Sequence, residues 1–593
     1  MYPETPPSRP EKTASLWGFS HRVKAVMALL TLAWALLAMR VYVLQVLQGD
    51  MLAAIAQKQY QSTLEIKGRR GDILDRTGRK LAVSVPAASF FAYPPQVENP
   101  AATAKKLAPI LGMSAQDLQQ RLMSDRGFVW LKRQTLPQEA LDVKALDLPG
   151  IGVTMEYRRA YPGRFSAAPV LGFTGVDNQG LEGLEYAYDS FLRGDQTFRV
   201  IDKDALGHTF ILSSDAAPQG GGRLMLTLHP VVQTIAEEAL ERERKASQAL
   251  RAMAIVMDSA TGEILAMAHS PGFNANDYQH YDSDNYFNHV VTSGYEPGST
   301  FKLITVAAAL DQGLVQPDTL IFCENGQFQH YDSLIHDTAS HGWLSLAQVV
   351  ALSSNIGAAK VGLMLPPATF ADTIRRFGFG TRPGLLAGPR GQRLGGEATG
   401  SLPDPKTWTA VDQAAISFGH GLLVSPLQLV AAVNVFAQDG KLLRPYLVRQ
   451  IQNNRGQVIQ QNNPQVVRQV ISPATAHEVR AFMVQVVREG TGREAALKDF
   501  TVAGKTGTSE KYEFEARGYS KTRQIASFAG FVPAENPRLT LVILVEEPKG
   551  KRSGGTVAAP VFAEIARRAL PALGVWPAEK IRHLRIDLPG NAR

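Results

Sequence analysis

The stretch Ser293 to Leu310, SGYEPGSTFKLITVAAAL, decides how the chain is interpreted. A Pro-Gly pair breaks an extended run, and the apolar residues from Leu303 to Leu310 then recur at helical spacing before Gly313, which predicts a buried helix. Ser299 stands where a capping residue would stand, and Lys302 follows it by one turn. The stretch therefore fits either an ordinary core helix or the first turn of a catalytic site.

Length and composition limit the number of domains, the kinds of partner and the cysteine chemistry that the chain can have. The chain has 593 residues, a formal charge of +8 and an isoelectric point near 9.3. A chain this long predicts two or more domains. Its basic residues are scattered rather than gathered into tracts with aromatic residues, so we expect a solvated surface and no nucleic-acid partner. Cys323 is the only cysteine, which excludes an intramolecular disulfide and a cysteine-based metal site.

The amino-terminal region predicts a membrane anchor. Residues Ala25 to Met39, AVMALLTLAWALLAM, are uniformly apolar, and the pattern continues to Leu47 if Arg40 snorkels to the interface. No small-x-small cleavage site follows, which favours an uncleaved signal anchor over a signal peptide. The basic residues before the span place the amino end in the cytoplasm and the remainder outside it; these residues are Arg9, Lys12, Arg22 and Lys24.

The exported part divides into two predicted domains. Residues 48–222 contain short β-like runs and modest helices such as Ala101 to Leu111, which indicates an extended α+β pedestal. A Gly-rich joint begins near Ser213. We place the second domain at residues 223–575, with a cytoplasmic tail at 1–22, the anchor at 23–47 and a carboxyl-terminal tail at 576–593.

The sequence pattern of the second domain predicts an α+β fold in which helices cover both sides of one antiparallel sheet. Its first elements are a strand at Leu224 to Leu228, a helix with Pro230 at its first position, and a hairpin around Thr261-Gly262. The runs TVAGKTGT, QIASFAGFVP and RLTLVILVEEP predict three more strands, and a helix from Ala558 to Leu573 closes the domain.

The Ser299-x-x-Lys302 pair suits nucleophilic catalysis. Residues three apart share one face of a helix. A neutral lysine there can remove the serine proton, since burial and the helix dipole lower the lysine pKa. Backbone N–H groups at the helix start can bind an oxyanion. The pair alone is weak, because such spacing arises by chance in a chain of this length.

Two further motifs follow along the chain. Ser353-Ser354-Asn355 follows an amphipathic stretch; its hydroxyl and carboxamide can relay a proton and hold an amide, although a helix-capping pair is the blander interpretation. Lys505-Thr506-Gly507-Thr508 lies at the predicted end of a strand, where an edge can pair with a peptide and bind its carboxylate. A polar strand end is the blander interpretation there.

The three motifs in this order match the active-site set of penicillin-binding proteins and serine β-lactamases. Five further stretches resemble class B penicillin-binding proteins: RGDILDRTGRKLA, RRAYPG, GLEGLEYAYDSFLRG, FGHGLLVSPLQLVAAVNVFAQDGKLLRPYLV and GGTVAAPVFAEIA. YEPGST, with Glu296, looks most like the septal, cell-division transpeptidase. His289 is a departure, since relatives often carry Arg there.

The resemblance implies a serine acyl-enzyme that cross-links D-Ala-D-Ala stem peptides of peptidoglycan, is inhibited by β-lactams and needs no cofactor. It implies an inner-membrane location and partners that include the septal glycan polymerase. The implied catalytic residues are Ser299, Lys302, Ser353 and Lys505, and the implied substrate-binding residues are Asn355, Thr506, Gly507 and Thr508. The oxyanion would lie between the N–H groups of Ser299 and Thr508.

Three alternatives stay open at this point. An elongation-type relative would perform the same reaction at the side wall. A β-lactamase or β-lactam sensor shares the motifs but does not account for the anchor and pedestal. A non-catalytic division scaffold should carry degenerate motifs, whereas these motifs are complete.

Overall fold

A computed structural model describes residues 16–53, 61–203, 209–211, 219–386, 396–513 and 518–577 of the protein. The predicted Gly-rich joint falls largely outside these residues, since 212–218 are not among them. Two compact units are distinguished: residues 1–67 with 196–218, and residues 68–195 with 219–593.

Seventeen α-helices lie in the described part of the chain. They are α1 Leu16–Tyr42, α2 Pro100–Leu111, α3 Ala115–Leu122, α4 Pro137–Ala145, α5 Ala168–Leu171, α6 Gly183–Ala187, α7 Asp189–Leu192, α8 Pro230–Ser247, α9 His289–Thr292, α10 Lys302–Asp311, α11 Leu346–Ala351, α12 Asn355–Leu363, α13 Pro367–Arg376, α14 Ala410–Ser417, α15 Pro426–Ala437, α16 Pro473–Arg488 and α17 Ala559–Ala572.

The same residues contain twenty-one strands. They are β1 Gln61–Lys67, β2 Ile73–Leu74, β3 Lys80–Ala92, β4 Val129–Lys132, β5 Ile151–Ala160, β6 Gln196–Lys203, β7 Thr209–Ile211, β8 Arg223–Leu226, β9 Arg251–Asp258, β10 Ile264–Ser270, β11 Leu320–Phe322, β12 Gln327–His330, β13 Ser333–His336, β14 Trp343–Ser345, β15 Lys441–Leu443, β16 Val448–Gln452, β17 Val458–Gln461, β18 Val466–Gln469, β19 Ala503–Glu513, β20 Gly518–Val532 and β21 Leu539–Glu546.

The first unit holds the predicted anchor and a small sheet. Helix α1 continues as a π-helical turn to Leu47, and an 18-residue window within Ser20–Leu47 has a mean hydropathy of 2.0. This length spans about 42 Å, enough by length and composition to cross a hydrocarbon core of about 30 Å. Strands β1, β6 and β7 pair in that order as an antiparallel sheet.

The predicted antiparallel sheet is present in the second unit. Its strand order is β10-β9-β21-β20-β19, and every neighbouring pair is antiparallel. Along β9 the side chains alternate: Ala252, Ala254 and Val256 pack into one core, and Met253, Ile255 and Met257 into the other. Helices α8 and α17 contribute to the first core and α10 to the second. The alternation confirms a sheet buried on both faces.

The predicted strand at Leu224 to Leu228 is only partly correct. It forms as β8, but β8 pairs in parallel with β2 and antiparallel with β16, in a second sheet of order β17-β16-β8-β2-β3-β4, with β5 on β3. A short apolar run predicts a strand without identifying its partner. This sheet crosses the predicted boundary at residue 222, and the domain limits stay predictions.

The pedestal has its own core. Helices α2, α3 and α4 cover strands β3, β4 and β5 through residues such as Phe90, Leu107 and Leu118. The predicted helix Ala101 to Leu111 is confirmed as α2, Pro100–Leu111. The Asn99 side chain caps this helix by accepting the N–H of Ala102.

A buried ion network ties pedestal elements together. The Glu185 carboxylate is fully buried and accepts from Arg70 Nε at 2.6 Å and from Arg159 Nε at 2.6 Å. Arg70 also donates to Asp189 Oδ1 at 2.6 Å. Arg70 precedes β2, Arg159 lies on β5 and Glu185 lies on α6, so the network joins three elements that are distant in sequence.

Candidate active site

Ser299 lies on a 3-10 turn, Gly298–Phe301, that leads into α10. The prediction that Ser299 could cap the helix is wrong: a capping residue needs an extended backbone, whereas Ser299 is already inside the turn, and no side-chain cap is made there. Among the described residues, the Ser299 hydroxyl has no hydrogen-bond partner. The predicted apolar helix is confirmed, since Leu303, Ile304 and Val306 are fully buried.

Lys302 is fully buried, and three oxygens surround its amine. Its Nζ donates to the Ser353 carbonyl oxygen at 2.5 Å, to Asn355 Oδ1 at 2.7 Å and to Ser353 Oγ at 3.3 Å. Burial lowers the pKa of Lys302 to about 7, against the opposing effect of Asp337. The amine can therefore exchange a proton near neutral pH.

The Ser353 hydroxyl lies between two lysines. Lys505 Nζ donates to Ser353 Oγ at 2.8 Å, and Lys302 Nζ donates to the same oxygen at 3.3 Å. Ser353 holds this place with φ of 64°, a left-handed conformation that is uncommon outside glycine. Lys505 is also fully buried, and burial together with the charge of Lys302 lowers its pKa well below the usual range. The arrangement forms a continuous path for a proton between two amines.

The Lys505-Thr506-Gly507-Thr508 motif lies inside β19, not at a strand end as predicted. β19 continues to Glu513 and forms a hairpin with β20, so the predicted loop after the motif is largely strand. Its polar residues on both faces masked the alternation that identifies strands. β19 is the outer strand of the sheet, so its free edge can pair with an extended peptide.

The two threonines of the motif differ in access. The Thr506 hydroxyl is buried and shares a 2.6 Å hydrogen bond with the Thr491 hydroxyl. Thr508 is exposed, and its Oγ1 accepts from the Gly554 N–H at 3.2 Å. Thr508 is therefore the better placed of the two to meet a ligand.

Glu296, three residues before Ser299, lies in a polar cluster with Tyr519 and His420. Glu296 Oε1 accepts from the Tyr519 hydroxyl and the Gly421 N–H, both at 2.9 Å. Burial raises the pKa of Glu296, and burial lowers that of the neighbouring His420 to about 4, so this histidine is neutral. Sequence reasoning missed Tyr519 and His420 as neighbours, since the chain brings them there from distant elements.

His289 makes two hydrogen bonds, and its Nε2 also lies 3.4 Å from Asp284 Oδ1. Its ring bonds Ser293 Oγ at 2.8 Å and the Asp284 carbonyl oxygen at 3.0 Å, and burial lowers its pKa. Arg251 forms the ion pair with Asp284.

Asp337 also touches the site and was not predicted. It contacts the turn that carries Ser353 and Asn355, but nothing in the local pattern around Asp337 signals this contact. Within the described ranges, no three His, Cys, Asp or Glu side chains gather at metal-binding spacing.

The chemistry of this arrangement is that of acyl transfer. A partly exposed serine lies on the turn that leads into a helix, a buried amine with a pKa near neutrality follows three residues later, and a second hydroxyl connects that amine to another.

Comparison with known proteins agrees with this chemistry. Residues 252–567 match the family described as "Penicillin binding protein transpeptidase domain", and residues 65–226 match the "Penicillin-binding Protein dimerisation domain". The chain is 36% identical over 543 residues to stage V sporulation protein D of Bacillus subtilis, covering 90% of this chain and 83% of the relative. It is 33% identical over 581 residues to peptidoglycan D,D-transpeptidase FtsI of Escherichia coli, covering 96% and 95%.

Solved structures share the architecture. A peptidoglycan synthetase from Bifidobacterium adolescentis matches with a TM-score of 0.69 at 25% identity, over 87% of this chain and 98% of the other. Penicillin-binding protein 3 from Mycobacterium tuberculosis, in complex with aztreonam, matches with a TM-score of 0.68 at 25% identity, over 86% and 98%.

Fold and site together define a serine acyltransferase with a penicillin-binding transpeptidase domain. The chain belongs to the class B penicillin-binding proteins, in which a dimerisation domain precedes that domain.

Proposed function

We propose that this chain is the serine-type peptidoglycan D,D-transpeptidase of the division septum, anchored in the inner membrane by one helix. The transpeptidase reaction and the binding of peptidoglycan and β-lactams follow from family membership. The septal role is supported by the FtsI relatives and by the YEPGST motif. The observation that carries the catalytic assignment is the Ser353 hydroxyl between two buried lysines.

Ser299 attacks the carbonyl between the two terminal D-alanines of a stem peptide. Lys302, neutral at the working pH, accepts the hydroxyl proton, although its amine contacts Ser353 and Asn355 before substrate arrives. Catalytic hydrogen bonds are often formed only once substrate is bound. The expelled D-alanine takes a proton through Ser353 and Lys505. An amine of a neighbouring peptidoglycan strand then receives the acyl group.

The remaining residues bind the substrate. The N–H groups of Ser299 and Thr508 hold the oxyanion, and the free edge of β19 pairs with the stem peptide. Thr506 and Thr508 bind the terminal carboxylate, mainly through the exposed Thr508, and Asn355 orients a stem-peptide amide. Gly507 lets the strand lie against the turn that carries Ser299.

The catalytic domain works outside the cytoplasm. Basic residues precede the span, so the amino end stays inside. The membrane helix and pedestal meet the septal glycan polymerase and other division proteins.

Covalent labelling tests the assignment of the nucleophile. The full-length protein in detergent should form a stable adduct with fluorescent penicillin, and Ser299→Ala should abolish the adduct. Ser283→Ala, on an exposed turn, should label like the wild type. A label that turns over within seconds would instead indicate a β-lactamase, and a labelled Ser299→Ala protein would reject the assignment.

Cell experiments test the septal role. Depletion should produce filaments, and a fluorescent fusion should concentrate at midcell. Round cells with lateral signal would identify an elongation enzyme instead. Full rescue of growth by Ser299→Ala would show that the protein serves as a scaffold.

A further inference from the structure

The Asp337 carboxylate binds the first turn of α12 with both oxygens. Oδ1 accepts the backbone N–H of Asn355 at 2.5 Å and that of Ile356 at 3.0 Å, and Oδ2 accepts the Ser354 hydroxyl at 2.5 Å. The Ser354 hydroxyl in turn accepts the Gly357 N–H at 2.9 Å. The orphan donors at this helix start are thus satisfied by one carboxylate and one hydroxyl.

The residue before Asp337 holds the side chain of Asn355. The His336 carbonyl oxygen accepts Asn355 Nδ2 at 2.8 Å, while Asn355 Oδ1 accepts the Lys302 amine at 2.7 Å. His336, the last residue of strand β13, and Asp337, which follows it, therefore hold both the side chain and the backbone of Asn355, and Asn355 accepts from the Lys302 amine.

The same contacts constrain Ser353. Its left-handed backbone places the carbonyl oxygen 2.5 Å from Lys302 Nζ and the hydroxyl 2.8 Å from Lys505 Nζ. A non-glycine residue keeps this conformation only where its surroundings impose it. Asp337 anchors the turn directly after Ser353, so it supplies part of that constraint.

We propose that Asp337 is a positioning residue of the reaction: its carboxylate anchors the Ser353–Asn355 turn and thereby places Ser353 and Asn355 against the Lys302 amine. The inference deepens the proposed function and rests on the role of Lys302 as the base. Asp337 itself touches no reacting atom.

The charge of Asp337 acts on the same amine. Burial lowers the pKa of Lys302, while Asp337 and Cys323 oppose that shift. Lys505 on β19 and His420 before α15 are further titratable groups near the amine among the described residues, and burial, followed by the Lys302 charge, lowers the pKa of each. Removing the Asp337 charge therefore lowers the pKa of Lys302 further, an effect that a purely structural residue would not have.

The test is the pH profile of acylation by fluorescent penicillin in the full-length protein. Asp337→Asn keeps an oxygen for the two backbone N–H groups but loses the charge, so the midpoint of the profile should move about 1 unit toward lower pH. Asp337→Ala should reduce the maximal rate by about 100-fold, since catalytic groups displaced by about 1 Å lose that much. Asp337→Glu should bring the midpoint back toward the wild-type value while the rate stays low.

Asp412→Asn is the matched control, because Asp412 caps α14 and its carboxylate accepts from Thr409. It should lower Tm like Asp337→Asn but keep the wild-type midpoint and a rate within about twofold. A wild-type midpoint in Asp337→Asn, together with an unreduced rate in Asp337→Ala, would overturn the proposal. A wild-type protein that is not labelled at Ser299 would instead overturn the proposed function.

Discussion

Lys302 carries an amine that water would keep almost entirely protonated at neutral pH. With an ordinary pKa of about 10.4, only about one lysine in a thousand is neutral at pH 7.4. Burial lowers the pKa of Lys302 to about 7, so about 70% of these amines are neutral at the same pH. The same shift reduces stability, because the unfolded chain binds the additional proton between about pH 7 and 10.4, so the free energy of unfolding rises with pH across that window.

The rate of acylation should follow the neutral fraction of Lys302. We expect the second-order rate constant for penicillin to rise about tenfold per pH unit below pH 7 and to level off above it, since the base must be unprotonated. Stopped-flow or gel-based labelling between pH 5.5 and 9 measures this profile. A rate that is independent of pH over this range would exclude Lys302 as the base.

At the scale of elements, strand β19 and the turn before α10 approach unusually closely. A Cβ at Gly507 would lie 2.3 Å from Ser527 Oγ and 3.0 Å from the Pro297 carbonyl oxygen. Gly298 has φ of 54°, and a Cβ there would lie 2.8 Å from the Thr508 carbonyl oxygen. The two glycines let the strand that carries Lys505 contact the turn that carries Ser299.

Gly507→Ala should separate these elements. The added methyl group meets backbone as well as a side chain, so we expect a loss of about 1 to 3 kcal/mol in the free energy of unfolding and a fall of at least about tenfold in acylation rate. Denaturant unfolding and penicillin labelling measure the two effects.

Gly127→Ala is the control for this change, because nothing lies within 4 Å of a Cβ at that position. It should leave both quantities near the wild-type values. Wild-type labelling by Gly507→Ala would show that the close approach is not needed.

At the scale of the whole molecule, a buried charge network stabilises the pedestal. Burial alone would raise the pKa of Glu185, but Arg159 and Arg70 together lower it. Since the pKa is lowered in the folded state, the stabilisation is full above the ordinary titration range of glutamate and is lost as the pH falls through and below it.

Glu185→Gln should leave the two buried guanidinium groups, Arg70 and Arg159, without their shared carboxylate. We expect the free energy of unfolding to fall by about 3 to 5 kcal/mol, the usual cost of breaking a buried pair. Chemical denaturation of the detergent-solubilised protein measures the change.

Arg568→Gln breaks partly exposed pairs with Glu238 and Glu564 and serves for comparison. It should cost no more than about 1 kcal/mol. Equal losses in the free energy of unfolding for the two substitutions would mean that burial does not increase the contribution of the network to stability.

Local sequence pattern was sufficient to predict many of the helices and strands of this protein. Apolar spacing predicted α10, the β9–β10 hairpin and the strands β20 and β21, and the uniform run before Leu47 predicted the anchor. The three motifs identified the lysines and hydroxyls that the structure brings together at Ser353. These features are readable because each depends on residues that are close in sequence.

Contacts between distant segments were decided only by the tertiary structure. Three features depend on which segments pack together: the pairing of β8 with β2, the continuation of β19 beyond its motif, and the hydrogen bonds of Asp337 to the Ser353–Asn355 turn. The lowered pKa of Lys302 was also decided only by the tertiary structure, because the residues that bury this amine are spread over much of the chain. The sequence by itself therefore determined the order of the three motifs and the long apolar span, whereas tertiary packing determined the partners and the protonation of the motif residues, because both depend on burial and on long-range contacts.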